Sequence, residues 1–352
     1  MNKYFWSAVS LSLVIIFFRE PLFIEQVPVK NKSEMLRAIE LTKQWKKIVN
    51  ENKRRLGIPA DSDSLEYAKL NNGEEDIIGD EYSILTTTLG SLEAKELSNN
   101  TALSALMVKL ISESDADTSK PVGIEASGSF PALTIQTMAA LQSMNRKAVL
   151  ISSLGASSHG ANQPGALWID MEGWLNKYGG CRYHSELITY GAEGDTAGGL
   201  IEEGKAELDN ALTRNGKQVF IPKTIEMSIE KKLELFKGRN IGLLINIGGN
   251  QSALGYCSHA ELLPNGLHKE IVTCDHKDRG VISRVSEIGI PFIHLLNLKN
   301  LAAKYSITDR SISSTHPIFM ETKSIKWRVL ISLLLISVLL FLFYRSKKST
   351  TK

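Results

Sequence analysis

Apolar residues are concentrated in one segment at each end of the chain. Residues 4–18 read YFWSAVSLSLVIIFF, and residues 327–344 read WRVLISLLLISVLLFLFY. A membrane-spanning helix needs about 20 mostly apolar residues, and aromatic residues often mark its two ends. The second segment therefore predicts a transmembrane helix. The first is shorter, but Arg19-Glu20 and no small-residue cleavage motif follow it, which favours an uncleaved signal anchor that also spans the membrane.

Two spans place both termini on the same side of the membrane. Lys3 precedes the first apolar segment, whereas Arg345, Lys347, Lys348 and Lys352 follow the second. Positively charged flanks tend to stay in the cytoplasm. Basic residues on the other flank of the second segment weaken this bias. We therefore predict two spans with cytoplasmic termini and a central domain outside.

The central part of the chain alternates short apolar runs with amphipathic stretches. Residues 33–56 carry apolar side chains at helical spacing, and residues 61–80 are polar and acidic. Beyond them, strands are predicted at residues 122–126, 148–151, 219–221, 241–247 and 291–296, with helices at 131–144, 225–236 and 298–305. Such alternation indicates parallel strands in a sheet that is covered by helices.

The predicted fold is a doubly wound α/β domain. It has a mostly parallel sheet with helices on both faces, and an N-terminal and a C-terminal transmembrane helix flank it. Four regions follow: an N-terminal anchor at 1–24, a helical and irregular linker region at 25–80, the soluble α/β domain at 81–318, and the C-terminal helix with its basic tail at 319–352.

Charge and cysteine content exclude several classes of protein. The 41 basic and 38 acidic side chains are interleaved, whereas a nucleic-acid binder concentrates basic residues on one face. The lipid bilayer, and not a nucleic acid, is therefore a predicted partner.

The three cysteines, Cys181, Cys257 and Cys274, are widely spaced, which indicates neither a disulfide scaffold nor a zinc site. Three unpaired thiols are favoured, although one pair could form outside the cell.

Three predicted strand ends are rich in glycine, serine and asparagine. In open α/β sheets, ligands bind outside the carboxyl ends of the strands. The predicted ligand-binding residues are therefore those of these three segments: Ser127, Gly128, Ser129, Ser153, Gly155, Ser157, Asn246, Gly248, Gly249 and Asn250.

The first of these segments leads into a predicted helix at Pro131. Free N–H groups at a helix start attract anions, and Gly128 permits a tight turn before it. The serines at 127 and 129 could add hydroxyl donors. The alternative is that Ser129 only caps the helix, as serine often does.

A catalytic serine is a second possible use of the same segments. Ser127 or Ser129 could pair with His159 and an acid such as Asp170 or Asp195, although the spacing does not specify a triad. A loop histidine without a catalytic role is the alternative for His159. The chain has no GxSxG, GxGxxG, HExxH or P-loop motif, so neither a metal nor a cofactor is predicted.

Several of these segments together resemble a known family. They are EYSILTTTLGSLEAK at 81–95, SGSFPAL at 127–133, ISSLGAS at 151–157 and NIGG at 246–249. In this order they resemble the poly-gamma-glutamate system protein family, bacterial membrane proteins whose genes accompany those for poly-γ-glutamate synthesis and export. The resemblance covers most of the chain, including both anchors. It implies a bacterial cytoplasmic membrane location and a role in capsule biosynthesis, and it brings no catalytic residues with it.

Three functions are compatible with these features. The first is an accessory protein that binds the anionic polymer or the synthase and export complex. The second is a serine-dependent hydrolase or transferase acting on γ-glutamyl chains. The third is a sensor of small anions, for which the serine-rich turn before a helix is the only feature.

Overall fold

The computed structural model describes residues 3–17, 24–60, 74–275, 277, 279–307, 317–324 and 326–349. The chain divides into two compact units. The terminal unit comprises Met1–Lys30 and Ser313–Lys352, and the α/β unit comprises Asn31–Ile312. Residues 61–73 of the predicted irregular region lie outside the described residues.

The helices and strands are numbered in chain order across both units. The helices are α1 Lys3–Phe17, α2 Lys32–Arg55, α3 Leu92–Ser98, α4 Ala102–Glu113, α5 Pro131–Ser143, α6 Trp168–Tyr178, α7 Glu202–Arg214, α8 Ile225–Gly238, α9 Gln251–Leu254, α10 Ser258–Glu261, α11 Val281–Glu287, α12 Leu298–Lys304 and α13 Lys326–Ser349. The strands are β1 Ile24–Pro28, β2 Val122–Ser127, β3 Ala148–Ser153, β4 Ser185–Thr189, β5 Gly191–Ala192, β6 Thr196–Gly198, β7 Leu243–Ile247, β8 Gly266–His268, β9 Phe292–Leu295 and β10 Met320–Ser324.

The terminal unit joins the two ends of the chain. Strands β1 and β10 pair antiparallel, with Ile24 opposite Ser324 and Pro28 opposite Met320, and α1 packs against α13. Among the described helices, α13 alone is long and apolar enough to cross a membrane, over Arg328–Arg345. Helix α1 contains a shorter apolar stretch, Trp6–Ile15.

The α/β unit is built on a six-stranded sheet with the order β4-β3-β2-β7-β9-β8. All neighbouring strands are parallel except β8, which pairs antiparallel with β9. The chain moves outward from β2 through β3 to β4 and then returns to place β7 on the other side of β2. The strand order therefore reverses between β2 and β7. The prediction of a mostly parallel α/β sheet is confirmed.

Helices cover both faces of this sheet. On one face, α8, α9 and α11 pack with Val149, Leu244 and Phe292 in a buried apolar core. Right-handed crossovers place α5 and α6 on the opposite face, where α2 packs against α4, α5 and α6. Helix α2 brings a fully buried Trp45 to this layer.

One predicted strand is wrong, and two strands of the six-stranded sheet, β4 and β8, were not predicted. Residues 219–221 form no strand; the Phe220 N–H donates a single hydrogen bond to the Ile188 carbonyl of β4, at 2.8 Å. Pro222 follows at once and has no N–H to continue a ladder. Strand β4 itself reads SELIT and mixes polar with apolar residues, so it lacks the apolar run that marks its neighbours.

The expectation of three unpaired thiols is also wrong. Cys257 and Cys274 form a disulfide with a Cα–Cα distance of 5.7 Å, within the range that disulfides need. Cys181 is a free, buried thiol. Burial raises the pKa of this thiol to about 11, so it is not a reactive thiolate.

Candidate functional site

A cavity of about 630 Å³ opens where the strand order of the sheet reverses. This is the place where open α/β sheets bind ligands. Its walls come from the ends of β2, β3 and β7, the β5–β6 turn and the segment that leads into α3. The lining residues are Thr87, Thr88, Leu89, Gly90, Ser91, Ala94, Lys95, Ser127, Ser129, Phe130, Gly155, Ser157, Ala192, Glu193, Gly198, Gly199, Gly249, Asn250, Gln251 and Leu296.

Six of the predicted ligand-binding residues line the cavity: Ser127, Ser129, Gly155, Ser157, Gly249 and Asn250. Ser153 and Gly128 lie behind this lining, as support for it. The Ser153 hydroxyl lies 2.8 Å from the Asn250 amide nitrogen, and the Gly128 N–H donates to the Ser153 carbonyl at 2.9 Å.

The remaining two predicted residues, Asn246 and Gly248, contact each other beneath the cavity. The Asn246 side-chain amide donates to the Gly248 carbonyl at 2.9 Å and lies 3.0 Å from Nδ1 of His294. Burial, and secondarily the charge of His268, lowers the pKa of His294 to about 4. His294 is therefore neutral at physiological pH, and this pair is a buried polar contact between β7 and β9.

Three of the serines that line the cavity, Ser127, Ser129 and Ser157, form a hydrogen-bonded cluster. The Ser127 hydroxyl donates to the Ser129 hydroxyl at 3.1 Å, and the Ser157 N–H donates to the same Ser129 oxygen at 3.0 Å. Ser129 therefore does not cap α5. The N-cap position is Phe130, which makes no side-chain cap, and Pro131 begins the helix. The N–H groups of the first turn of α5 are left without a side-chain cap.

Lys95 is a basic residue that lines the cavity and was not predicted from the sequence. It lies on α3 with only 2% of its surface exposed. Its Nζ donates to the Ser129 carbonyl and, at 2.9 Å, to the Ser157 hydroxyl. Nζ also lies 3.9 Å from the centroid of the Phe130 ring. The side chain therefore holds the ends of β2 and β3 together at the cavity wall.

The charge of Lys95 has no acidic counterpart. Within the part of the chain that the structure describes, no carboxylate oxygen lies within 4.0 Å of its Nζ. Burial alone lowers the pKa of Lys95 to about 7, because an apolar environment penalises the charged form. A buried cation without a carboxylate partner is unusual, and a perturbed lysine in a cavity is typical of a functional site.

His159 lies outside this cavity. It adopts φ 61° and donates its N–H to the Asp80 carbonyl at 2.8 Å. Among the described residues, no hydrogen bond joins it to Ser127 or Ser129. The two candidate acids are engaged elsewhere: Asp170 pairs with Arg214 at 2.7 Å, and Asp195 pairs with Lys232 at 2.9 Å.

A buried ionic network lies beneath the cavity. Lys232 of α8, at 0% exposure, lies 3.0 Å from a Glu125 oxygen and 2.9 Å from an Asp195 oxygen. Ser252 donates to the same Glu125 oxygen at 3.0 Å. Burial opposes the charge of Lys232, but the two carboxylates outweigh it and raise its pKa. We infer that Lys232 stays charged in the folded protein.

This network fixes three walls of the cavity. Glu125 lies two residues before Ser127 in β2, and Ser252 follows the lining residues at the start of α9. Asp195 lies in the β5–β6 turn, where it accepts hydrogen bonds from the Thr189 hydroxyl at 2.7 Å and the Gly191 N–H at 3.1 Å. Through these ion pairs and hydrogen bonds, Lys232 of α8 connects to the end of β2, the β5–β6 turn and α9.

Gly128 is expected to tolerate no side chain. A Cβ at this position would lie 2.7 Å from the Leu154 carbonyl oxygen and 3.0 Å from that of Gly155. Both contacts are with backbone, so one chain segment must move. We expect Gly128→Ala to lower the free energy of unfolding by about 1–3 kcal/mol, measured by thermal or denaturant unfolding of the full chain in detergent.

Gly238→Ala is the matched control for this substitution. Gly238 ends α8, and a Cβ there would meet no atom within 4 Å. Alanine also favours a helix over glycine, so this variant should be at least as stable as the unsubstituted chain. Equal stabilities of the two variants would contradict the close packing of the β2 turn against residues 154–155.

Comparisons with protein-family models, with curated proteins and with solved structures find no match for this chain. Among the described residues, no group of three or more His, Cys, Asp or Glu side chains is placed to hold a metal ion. The function proposed below is therefore argued from the residues that line the cavity.

Proposed function

We propose that this chain is a membrane-anchored accessory protein of poly-γ-glutamate synthesis or export, and that its α/β unit binds the anionic polymer. The observation that supports this most directly is Lys95, a buried lysine that lines the cavity without a carboxylate partner. A carboxylate of the bound chain would supply the missing counter-charge. Poly-γ-glutamate carries such a group on every residue.

The rest of the cavity suits a carboxylate on a short carbon chain. The hydroxyls of Ser127, Ser129 and Ser157 offer hydrogen-bond donors, and the uncapped start of α5 favours an anion. Leu89 and Leu296 provide apolar wall surface for methylene groups. At about 630 Å³ the cavity has the size of a small-molecule site. It therefore suits one or a few residues of the chain, with one carboxylate at Lys95.

Binding of the polymer is expected to depend on pH in a defined direction. Because the pKa of Lys95 is lowered to about 7, its charged form, which attracts a carboxylate, predominates below that value. The polymer carboxylates stay ionised well below neutral pH. Affinity should therefore fall by about tenfold per pH unit above about pH 7. Calorimetry of the full chain in detergent with poly-γ-glutamate, from about pH 6 to about pH 9, measures this.

The Lys95→Arg variant tests whether deprotonation of Lys95, and not another charge change in the protein, causes the loss of affinity. An arginine stays charged throughout the range, so this variant should bind the polymer with little change between the two pH limits. Lys299→Arg, at an exposed position that pairs with Glu93, should keep the pH dependence of the unsubstituted chain. No binding at any pH would contradict a polymer-binding role and would favour a role exerted through the synthase complex.

The proposal includes two membrane spans, α1 and α13. The antiparallel pairing of β1 with β10 supports it, because β1 follows α1 and β10 precedes α13. The pairing thereby brings together the chain segments that follow α1 and precede α13. Packing of α1 against α13 supports the same arrangement. The shorter α1, with 15 residues, would rely on that packing, since about 20 residues are usual.

The disulfide supports a location of the α/β unit outside the cytoplasm. Disulfides persist in oxidising compartments and are rare in the cytosol. Cys257–Cys274 lies in the α/β unit and closes a loop of sequence separation 17. A location of the α/β unit outside the cytoplasm agrees with the basic residues at the end of α13, which favour a cytoplasmic C-terminus: Arg345, Lys347 and Lys348.

The number of free thiols tests this orientation. With one disulfide and three cysteines, one thiol per chain, Cys181, is expected to react with maleimide in denaturant without reductant. After reduction, three should react. The measurement is intact mass of protein from bacterial membranes that were quenched with acid before lysis. Three reactive thiols before reduction would contradict an oxidising location.

A further inference from the structure

We propose that Ser157 and Lys95 form a nucleophile–base pair that hydrolyses amide bonds of an anionic chain held in the cavity. The identity of the chain rests on the proposed function, whereas the pair rests on the geometry of the cavity wall. The reaction class is acyl transfer from an amide to water. Neither Ser127 nor Ser129 with His159 takes part in this chemistry.

The two side chains meet the geometric requirement for such a pair. Nζ of Lys95 lies 2.9 Å from Oγ of Ser157, within hydrogen-bond reach of the proton it would abstract. Both residues line the cavity, and Ser157 is 8% exposed, so a ligand can reach its hydroxyl. The Ser157 N–H donates to the Ser129 hydroxyl at 3.0 Å, which fixes the backbone that carries the nucleophile.

A lysine can act as a base only when it is neutral, so the reaction belongs to the deprotonated form of Lys95, whereas the charged form is the one that holds a carboxylate. Its ammonium form loses a proton readily when it is buried away from acids, and Lys95 meets both conditions. Glu193 lines the same cavity, and Glu93 and Glu96 lie on α3 itself. Glu93 pairs with Lys299 at 3.2 Å. Among the described residues, none of these acids lies within 4.0 Å of the Lys95 Nζ, and burial alone accounts for its lowered pKa.

The reaction can be written with all atoms in balance. Neutral Nζ takes the proton of the Ser157 hydroxyl while Oγ attacks the amide carbon. The C–N bond then breaks, and the leaving amine takes the proton from Nζ, which leaves an ester on Ser157. Water attacks the same carbon and gives a proton to Nζ. The C–Oγ bond breaks, and Oγ takes that proton back, so one amide and one water yield a carboxylic acid and an amine.

The start of α5 supports the charged intermediate of each step. Attack on a carbonyl places negative charge on its oxygen, and N–H donors that are already in place stabilise such charge. Ser129 and Phe130 line the cavity directly before the first turn of α5, which has 13 residues and no side-chain cap. Both the positive end of the helix dipole and uncapped N–H groups are therefore present at the cavity.

The test uses the full chain in detergent with poly-γ-glutamate of uniform length at about pH 8. Free amines are measured with a fluorogenic reagent, polymer length by gel, and binding by calorimetry in the same samples. Hydrolysis is expected from the unsubstituted chain. Ser157→Ala and Lys95→Arg should each lower its rate by about 10²–10⁴-fold, and Lys95→Arg should still bind the polymer. Lys205→Arg, on α7, where the side chain is 41% exposed and pairs with Glu202, is the control with an unchanged rate.

Acid-quenched samples supply a second readout that does not depend on the rate. Mass spectrometry should find a γ-glutamyl adduct on the peptide that carries Ser157 and none in Ser157→Ala. Binding without shortening of the polymer and without an adduct overturns this inference and leaves the proposed function standing. Hydrolysis that survives in Ser157→Ala also overturns it. Absence of binding contradicts the proposed function itself.

Discussion

Replacing Lys232 with methionine is expected to lower the free energy of unfolding by about 3–5 kcal/mol. Lys232 is fully buried and pairs with both Glu125 and Asp195. Methionine preserves much of the volume of the side chain but leaves two carboxylates buried next to each other without a cation. One Glu125 oxygen already has no hydrogen-bond partner. Removal of one member of a buried ionic group costs far more than an exposed pair contributes, because the remaining charge stays desolvated.

Lys231 offers a matched control on the same helix. Its side chain is 44% exposed and pairs with Glu234 at 2.9 Å, so Lys231→Met should change stability by less than about 1 kcal/mol. Denaturant unfolding of the full chain in detergent, followed by circular dichroism, compares the two variants. Equal stabilities would contradict the assignment of Lys232 as the cation that neutralises the network. Loss of polymer binding in Lys232→Met at temperatures where it remains folded would show that the network also fixes the cavity walls.

The sheet could be predicted where its strands are uniformly apolar. Strands β2, β3, β7 and β9 are buried on both faces and read as short apolar runs, so their positions follow from the sequence within a few residues. Strand β4 lies at the edge of the sheet. Its residue Glu186 is exposed and pairs with Arg239, so the apolar signal is diluted there. Residues 219–221 gave the opposite error, since a short apolar run is also compatible with an irregular, partly exposed segment.

The position of the cavity could be predicted, but its central residue could not. Glycine, serine and asparagine at strand ends indicated six of the lining residues, because the carboxyl ends of parallel strands meet at one edge of the sheet. Lys95 lies 34 positions before Ser129 and 62 before Ser157. Its neighbours in sequence, Glu93 and Glu96, suggest an ordinary charged helix surface. Only the tertiary packing of α3 against the ends of β2 and β3 makes this lysine a buried one.

Two of the buried lysines of the α/β unit, Lys232 and Lys95, thus have opposite electrostatic environments. Lys232 is neutralised by two carboxylates, so its charged form is stabilised and its role is structural. Within the described part of the chain, the Lys95 ammonium group has hydroxyl, carbonyl and aromatic partners and no carboxylate. Its charged form therefore costs free energy in the absence of a ligand. Natural proteins retain such a cost where function requires it.

Replacing Lys95 with methionine is accordingly expected to stabilise the protein and to abolish its binding of polyanion. The pKa of Lys95 is lowered from 10.5 to about 7 in the folded state, so at and below neutral pH the folded state carries a penalty that the unfolded state does not. A shift of this size corresponds to about 4–5 kcal/mol. The two lost hydrogen bonds offset part of it. We expect a net gain of about 1–3 kcal/mol near pH 7.

The pH dependence identifies the cause of this gain. Between about pH 7 and about pH 10.5 the unfolded chain holds a proton that Lys95 releases on folding, so the stability of the unsubstituted protein rises with pH over that range. The advantage of Lys95→Met should therefore shrink as the pH approaches 10, as denaturant unfolding at several pH values would show. Lys299→Met, at a position whose side chain is 74% exposed, should give no such trend. If Lys95→Met were less stable than the unsubstituted protein at neutral pH, the lysine would have a structural role. That result would contradict the proposal that Nζ binds a ligand carboxylate.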